Sequence, residues 1–84
     1  MILRITKKAS KKISKLETSI SKQISIEILK LSQNPYSSQS KKLQSTENKY
    51  RIRIGSFRVI YKIDTQNKII SILRVADRKD IYRG

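Results

Sequence analysis

The stretch YRIRIGSFRVIY, residues 50–61, decides the fold of this chain because apolar and basic residues alternate along it. Alternation with a period of two places successive side chains on opposite faces of a sheet. A Gly-Ser pair at positions 55 and 56 interrupts the alternation and is typical of a two-residue hairpin turn. The stretch therefore predicts two antiparallel strands with one apolar face, which consists of Ile52, Ile54, Phe57, Val59 and Tyr61.

The opposite face of the predicted hairpin carries three arginines. With Gly55 and Ser56 as the loop, Arg53 lies opposite Arg58, and Arg51 shares their face. Like charges directly across a strand pair destabilise a sheet. We interpret the cluster as a binding site for an anionic group, and phosphate is the leading candidate because arginine makes forked contacts with it.

The overall composition also indicates an anionic partner. The chain has 84 residues, of which 20 are Lys or Arg and 6 are Asp or Glu, and its formal net charge is +14. Such a balance is typical of proteins that bind nucleic acid, an acidic protein or a membrane surface. The chain has no cysteine and no histidine. We therefore predict no disulfide, no metal site, no cofactor and no Ser-His or Cys-His nucleophile pair.

The sequence has no run of about 18 apolar residues that could span a bilayer. Its first residues also lack the apolar core of a signal peptide. We expect a cytoplasmic protein without a membrane partner, folded as one domain over residues 1–84.

The first half of the chain predicts a strand and two helices. Residues 2–6 predict the strand, after which Thr6 can cap a helix that has apolar residues on one side. The opposite side of that helix carries Lys8, Lys11, Lys12 and Lys15. These lysines are either a solvated face or contacts to an RNA backbone.

The second helix is predicted from about Ser19 to Gln33 and ends at Asn34-Pro35. Ile26 and Leu29 lie outside its main apolar stripe, so we expect this helix to lie between the first helix and the sheet.

Residues 36–49 are polar and are expected to form a loop. Strands are predicted at about 50–54, 57–63 and 69–75, and a short polar tail follows. The register of the last strand stays open, because a shift of one residue decides whether Arg74 lies on the face of Arg58. The order β-α-α-β-β-β predicts an α+β fold in which a two-helix hairpin packs on one face of a small, mainly antiparallel sheet.

This arrangement resembles the RelE/ParE superfamily of bacterial and archaeal toxins. The resemblance rests on the opening strand and lysine-rich helix, on Asn34-Pro35 and Lys42-Leu43, on residues 50–61, and on the tail Arg78-Lys79-Asp80-Ile81-Tyr82-Arg83. It implies a RelE-like toxin of a type II toxin–antitoxin system.

The resemblance also implies an activity and partners. RelE-type members are endoribonucleases that cut mRNA in the ribosomal A site. In them the RNA 2′-hydroxyl attacks the phosphate, a 2′,3′-cyclic phosphate results, and no metal is needed. The implied partners are mRNA, the ribosome and an acidic cognate antitoxin. A heterotetramer of toxin and antitoxin is compatible with this resemblance.

The implied catalytic residues are Arg51, Arg53, Arg58, Arg78 and Tyr82. The implied RNA-binding residues are Lys8, Lys11, Lys12, Lys15, Arg74, Lys79 and Arg83. The chain departs from the family pattern at positions 51 and 53, where the best-studied type has lysines, and at Asp77, where histidine is frequent. The general base is therefore not identified by the sequence.

Two other functions remain open. One is a ParE-like toxin that inhibits DNA gyrase, which shares the fold but generally lacks the full set of catalytic residues. The other is a catalytically inactive basic domain that binds nucleic acid or the antitoxin.

Overall fold

Two helices and five strands follow one another along residues 2–35, 40–42 and 48–77, the part of the chain that the computed structural model describes. In chain order they are β1 (Ile2–Ile5), α1 (Lys7–Ser14), α2 (Thr18–Gln33), β2 (Ser40–Lys42), β3 (Lys49–Ile54), β4 (Phe57–Asp64) and β5 (Ile69–Asp77). The predicted α+β class is confirmed, with the four predicted strands in their predicted order.

The short strand β2 is an element that the sequence did not predict, because residues 36–49 were expected to form a loop. Ser40–Lys42 pairs antiparallel with β3, and Lys41 lies opposite Arg51. Three polar residues carry no alternation that could indicate a strand, so pairing with β3 decides their conformation. The rest of that expected loop, 36–39 and 43–47, lies outside the described residues.

The sheet of the described residues has the strand order β1-β5-β4-β3-β2. β1 runs parallel to β5, and the other three pairs are antiparallel. The last strand along the chain is therefore inserted between the first strand and the β3–β4 hairpin. This arrangement ties the N-terminal strand to the C-terminal half of the chain.

The β3–β4 hairpin has the register that its alternation predicts. Arg53 pairs with Arg58, and Arg51 pairs with Ile60. Gly55 has a φ of 60°, and Ser56 has a negative φ. A positive φ at the first of two loop positions is the pattern of a type II′ turn, which favours glycine there and matches the twist of the strands.

The hydrophobic core lies between the helices and one face of the sheet. The five predicted apolar residues of the hairpin, including Phe57 and Tyr61, are all buried in it. The helices contribute Ala9, Ile24, Ile28 and Leu31, and β5 contributes Ile70, Ile72 and Val75. Because the helices pack only on this face, the arginine face of the hairpin lies on the other side of the sheet.

Thr6 fixes the start of α1 against β5. Its hydroxyl oxygen accepts a hydrogen bond from the amide of Ala9 at 3.2 Å, which is the predicted N-cap. The same hydroxyl donates to the carbonyl of Leu73 at 3.1 Å, and the Thr6 amide donates to the carbonyl of Ile72 at 3.0 Å. The helix therefore begins where β1 stops pairing with β5.

The second helix, α2, ends at the predicted Asn34-Pro35 step. The Tyr61 hydroxyl donates to the carbonyl of Pro35 at 3.0 Å and ties this end of the helix to the sheet. Ile26 and Leu29 are 53% and 58% exposed. The expectation that α2 is covered on two sides is therefore wrong, because only its main stripe packs on the sheet. Neither helix among the described residues is long and apolar enough to cross a membrane.

Candidate functional site

The three hairpin arginines lie together on the sheet face that the helices do not cover. Arg51 and Arg58 are half-buried, and Arg53 is exposed. The register puts Arg53 directly opposite Arg58, and Arg51 two residues along the same strand. Residues in such positions are close enough for their charges to repel. The sheet thus holds three guanidinium groups at one end of its open face.

No carboxylate within the described residues makes an ion pair with any of these three arginines. The described ion pair joins Lys30 and Glu27 at 3.3 Å, on α2. Burial lowers the pKa of the Arg51 guanidinium from its usual value, and the charges of Arg53 and Arg58 lower it further. Arginine nevertheless stays protonated at neutral pH. Within the described residues, the cluster is therefore a positive site without an ion-paired carboxylate.

A bulge in β5 places Arg74 on the same face. The β4–β5 register shifts between Ile60 and Tyr61, so that Ile60 pairs with Arg74 while Tyr61 pairs with Ile72. Leu73 is the extra residue. Because side chains alternate, this one insertion moves Arg74 from the core face to the open face. The open question about its register is thus answered in favour of the arginine face.

The predicted lysines of α1 line an open groove of about 370 Å³ between that helix and β5. The groove follows the edge of β5 beyond Ile72, where pairing with β1 has ended. Its lining residues are Lys8, Lys11, Lys12, Lys15, Arg74, Val75 and Ala76. Arg74 therefore belongs both to the open face and to the groove, and it joins the two basic surfaces.

The remaining predicted site residues lie outside the described part of the chain. These are Arg78, Lys79, Tyr82 and Arg83. Asp77, at the position where the family frequently has histidine, pairs with Phe57 at the end of β5. Since Phe57 points into the core, Asp77 occupies the core face and not the face of Arg58.

Two lysines on the open face were not among the predicted site residues. Lys49 pairs directly with Lys62, and the alternation puts both on the side of Arg51 and Arg58. The signal was present in the sequence, because the hairpin register that pairs Arg53 with Arg58 also pairs these two lysines. Lys62 lies inside the predicted strand 57–63, but the pair was missed because the preceding strand was predicted to begin at residue 50, one residue after Lys49.

This arrangement suits the binding of phosphate groups. Forked guanidinium donors bind phosphate oxygens in two-point contacts. Fixed cations also stabilise negative charge that develops during a reaction, provided that they are held in place beforehand. The arginine face offers both, on two adjacent strands whose register is fixed by a tight turn and a buried face.

Solved toxin–antitoxin complexes contain chains of the same fold. A chain of the RelBE2 complex from Mycobacterium tuberculosis is 29% identical, with a TM-score of 0.79 over 92% of this chain and 96% of that chain. A chain of the RelE-RelB complex from Pyrococcus horikoshii OT3 is 27% identical, with a TM-score of 0.82 over 92% and 93%. A chain of the RelB-RelE complex from Methanococcus jannaschii is 28% identical, with a TM-score of 0.77 over 95% of each chain. A search of curated protein sequences gives no significant match.

The β-α-α-β-β-β-β order, the inserted strand β5 and the open basic face thus define a toxin of the RelE/ParE fold. A family model described as the ParE toxin of type II toxin–antitoxin systems, parDE, matches residues 3–82. The chain belongs to this family, and the resemblance drawn from its sequence is confirmed.

Proposed function

We propose that this toxin is an endoribonuclease that cuts mRNA in the ribosomal A site. The observation that carries the proposal is the directly opposed pair Arg53 and Arg58, joined by Arg51. A like-charged pair of this kind lowers the stability of the sheet. Its position on the open face, away from any ion-paired carboxylate of the described residues, supports a role in binding and stabilising a phosphate.

In the proposed reaction the RNA 2′-oxygen attacks the adjacent phosphorus. The bond from phosphorus to the 5′-oxygen breaks, and the products are a 2′,3′-cyclic phosphate and a 5′-hydroxyl end. The 2′-proton leaves the nucleophile, and a proton is taken up by the departing oxygen. Negative charge grows on the phosphoryl oxygens in between. Arg58 is the residue that we assign to this charge, with Arg51 and Arg53 beside it.

The tail residues have roles that follow from the resemblance. Arg78 would support the departing 5′-oxygen, and Tyr82 would stack on a base or orient the 2′-hydroxyl. Stacking of a base on an aromatic ring contributes roughly 1–3 kcal/mol. Lys79 and Arg83 would extend the contact to the RNA backbone, as would the groove lined by the α1 lysines and Arg74.

Proton transfer in this toxin differs from schemes that need a lysine or histidine base. Arginine at positions 51 and 53 cannot act as a base, because it is always protonated. Asp77 occupies the core face. We therefore assign catalysis to charge stabilisation and to positioning of the RNA, with the ribosome fixing the geometry of attack.

An acidic antitoxin is the proposed partner that inhibits the nuclease activity. The structures with 27–29% identity are complexes of a RelE-type toxin with its antitoxin. The net charge of +14 supports an acidic partner, since opposite charge speeds association and favours the correct complex. The proposal includes a cytoplasmic location, where mRNA and ribosomes are found, and a single domain over residues 1–84.

Inhibition of DNA gyrase is the second candidate function. The match of a ParE toxin model to residues 3–82 favours it. A supercoiling assay with purified gyrase tests it directly, because inhibition there with intact mRNA would favour this function over the nuclease.

The nuclease is tested by adding the purified toxin to a reconstituted translation reaction and mapping mRNA ends by primer extension. We expect cuts within codons that need ribosomes. Arg58→Ala should reduce the cleavage rate roughly 100- to 1,000-fold, by analogy with the loss of one oxyanion contact. Lys22→Ala, which removes an exposed lysine of α2, is the matched control and should cut at the wild-type rate. Uncut mRNA with the wild-type toxin would overturn the proposal.

A further inference from the structure

A second like-charged pair lies on the open face, away from the arginines. Lys49 and Lys62 are directly opposed across β3 and β4. They lie four residues along their strands from Arg53 and Arg58, which corresponds to about 13 Å at the rise of a β-strand. A sheet that keeps two opposed cationic pairs on one face is destabilised twice, so the second pair also needs an explanation.

The surroundings of this lysine pair are basic across the sheet. The register aligns one row over four strands, formed by Lys49, Lys62, Ser71 and Arg4. Neighbouring strands are about 4.8 Å apart, so the row spans about 14 Å. Within the described residues, none of its three cations makes an ion pair with a carboxylate. Lys49 is half-buried, whereas Lys62 and Arg4 are exposed.

Among the described residues, Asp64 is the acidic residue near this row, on the same face two residues beyond Lys62. Its carboxylate accepts hydrogen bonds from the backbone amide of Asn67 at 3.1 Å and from the Asn67 side chain at 2.9 Å. These bonds, more than the charge of Lys62, lower the pKa of Asp64. The carboxylate is thus held in the β4–β5 turn, and within the described residues no carboxylate forms an ion pair with the two lysines.

We propose that Lys49 and Lys62 form a second phosphate-binding subsite for the same RNA strand that reaches the arginine face. This inference rests on the proposed nuclease function. Arg51 and Ile60 lie between the two opposed pairs, so the surface is continuous from one to the other. At about 3.4 Å per nucleotide of a stacked strand, the two pairs are about four nucleotides apart. The substrate is therefore a single-stranded segment that lies along β3 and β4.

An RNA backbone explains the subsite better than an acidic peptide does. Lysine is a compact point charge that attracts phosphate without reading a base, as a subsite for variable mRNA requires. The subsite also continues the arginine face along the same two strands. The lysine subsite contributes affinity and fixes the position of the RNA along the two strands, at a distance from the bond that is cut. The arginines act on the scissile phosphate.

The test compares a long and a short RNA, both with 2′-O-methyl groups so that no nucleophile is present. The long one has about nine nucleotides and spans both pairs, and the short one has about three and cannot. Their binding to wild-type toxin, Lys62→Gln and Lys49→Gln is followed by fluorescence anisotropy over a range of salt. Lys22→Gln is the control, and Lys62→Arg restores the charge. Thermal melts check folding, which the loss of a like charge should not impair.

We expect each lysine variant to bind the long RNA about eightfold more weakly at about 50 mM salt, because a single-strand contact releases about 0.7 counterion. The slope of log Kd against log salt should fall by about 0.7. The short RNA should bind as tightly as to wild type, and Lys62→Arg should recover the long-RNA affinity. An unchanged long-RNA affinity, an equal loss for the short RNA, or no binding by wild type would overturn the subsite.

Two outcomes separate the subsite from the nuclease. If wild type cuts mRNA and Lys62→Gln keeps full long-RNA affinity, the subsite is wrong and the nuclease stands. If the lysine variants show the expected loss but wild type never cuts mRNA, the subsite stands and the nuclease is wrong. A loss of affinity only for a peptide of about nine glutamates would assign the lysines to an acidic protein and overturn the RNA subsite.

Discussion

Replacing Arg53 with glutamine should make the toxin more stable and less active. Arg53 is exposed, so its side chain contributes little to the core. It faces Arg58 across the hairpin and shares a strand with Arg51, and both neighbours carry the same charge. Glutamine keeps most of the side-chain length and removes the repulsion. The same change removes one cation from the proposed phosphate site.

The size of the gain follows from Coulomb's law. Two charges roughly 7 Å apart in a medium as polar as water repel by about 0.6 kcal/mol. The two neighbours together give about 1 kcal/mol at low salt, which corresponds to a rise in Tm of about 4–8 °C for a chain of this size. At about 1 M salt the Debye length is about 3 Å, and nearly all of the gain should vanish.

Urea denaturation at about 0.01 M and about 1 M salt measures the effect, with Lys22→Gln as the control for net charge. Lys22 lies on α2, where the positions three and four residues away are uncharged. We expect Arg53→Gln to gain more free energy of unfolding than the control at low salt. At high salt this gain should disappear. Equal gains in both variants would refute the argument, because they would assign the effect to net charge and not to the cross-strand pair.

Two further predictions concern the fold. Tyr61→Phe removes the hydrogen bond to the Pro35 carbonyl and should cost about 0.5–1.5 kcal/mol in the free energy of unfolding, read from urea midpoints; an unchanged midpoint would mean that this bond does not stabilise the end of α2. Asp64→Asn should be less stable than wild type near neutral pH, because Asn67 lowers the folded pKa of Asp64 below its ordinary value of 3.8. The stability difference between wild type and Asp64→Asn is fully present above the unfolded pKa and is lost as the pH falls through the folded pKa. Thermal melts at about pH 7 and about pH 2 should therefore show a smaller difference in acid. A difference of the same size at about pH 2 would contradict a stabilising role of the ionised Asp64 carboxylate.

Much of the fold was predictable because its signals are local. The alternation along 50–61 fixes two strands and their apolar face, and the Gly55-Ser56 turn fixes their register. Thr6 as a cap and Asn34-Pro35 as a stop delimit the helical region. The strand β2 was missed because it has no pattern of its own and exists only where β3 offers a free edge.

The exposure of α2 was also outside the reach of the sequence. Ile26 and Leu29 are apolar, and an apolar side of a helix indicates burial. Burial depends on whether another element covers that side, and no described element does so here. An apolar residue by itself does not identify its neighbour. The pattern therefore predicted the burial of the main stripe correctly and the burial of Ile26 and Leu29 wrongly.

The sequence by itself determined that Arg51, Arg53 and Arg58 share one face, because alternation and a two-residue turn leave only one register. The tertiary structure decided that Arg74 joins them. Its placement depends on the bulge at Leu73, and the carbonyl of that extra residue accepts a hydrogen bond from Thr6 at the start of α1. A bulge needs a partner for the backbone groups that it removes from the ladder. That partner comes from the other end of the chain, so local sequence around the bulge could not specify it.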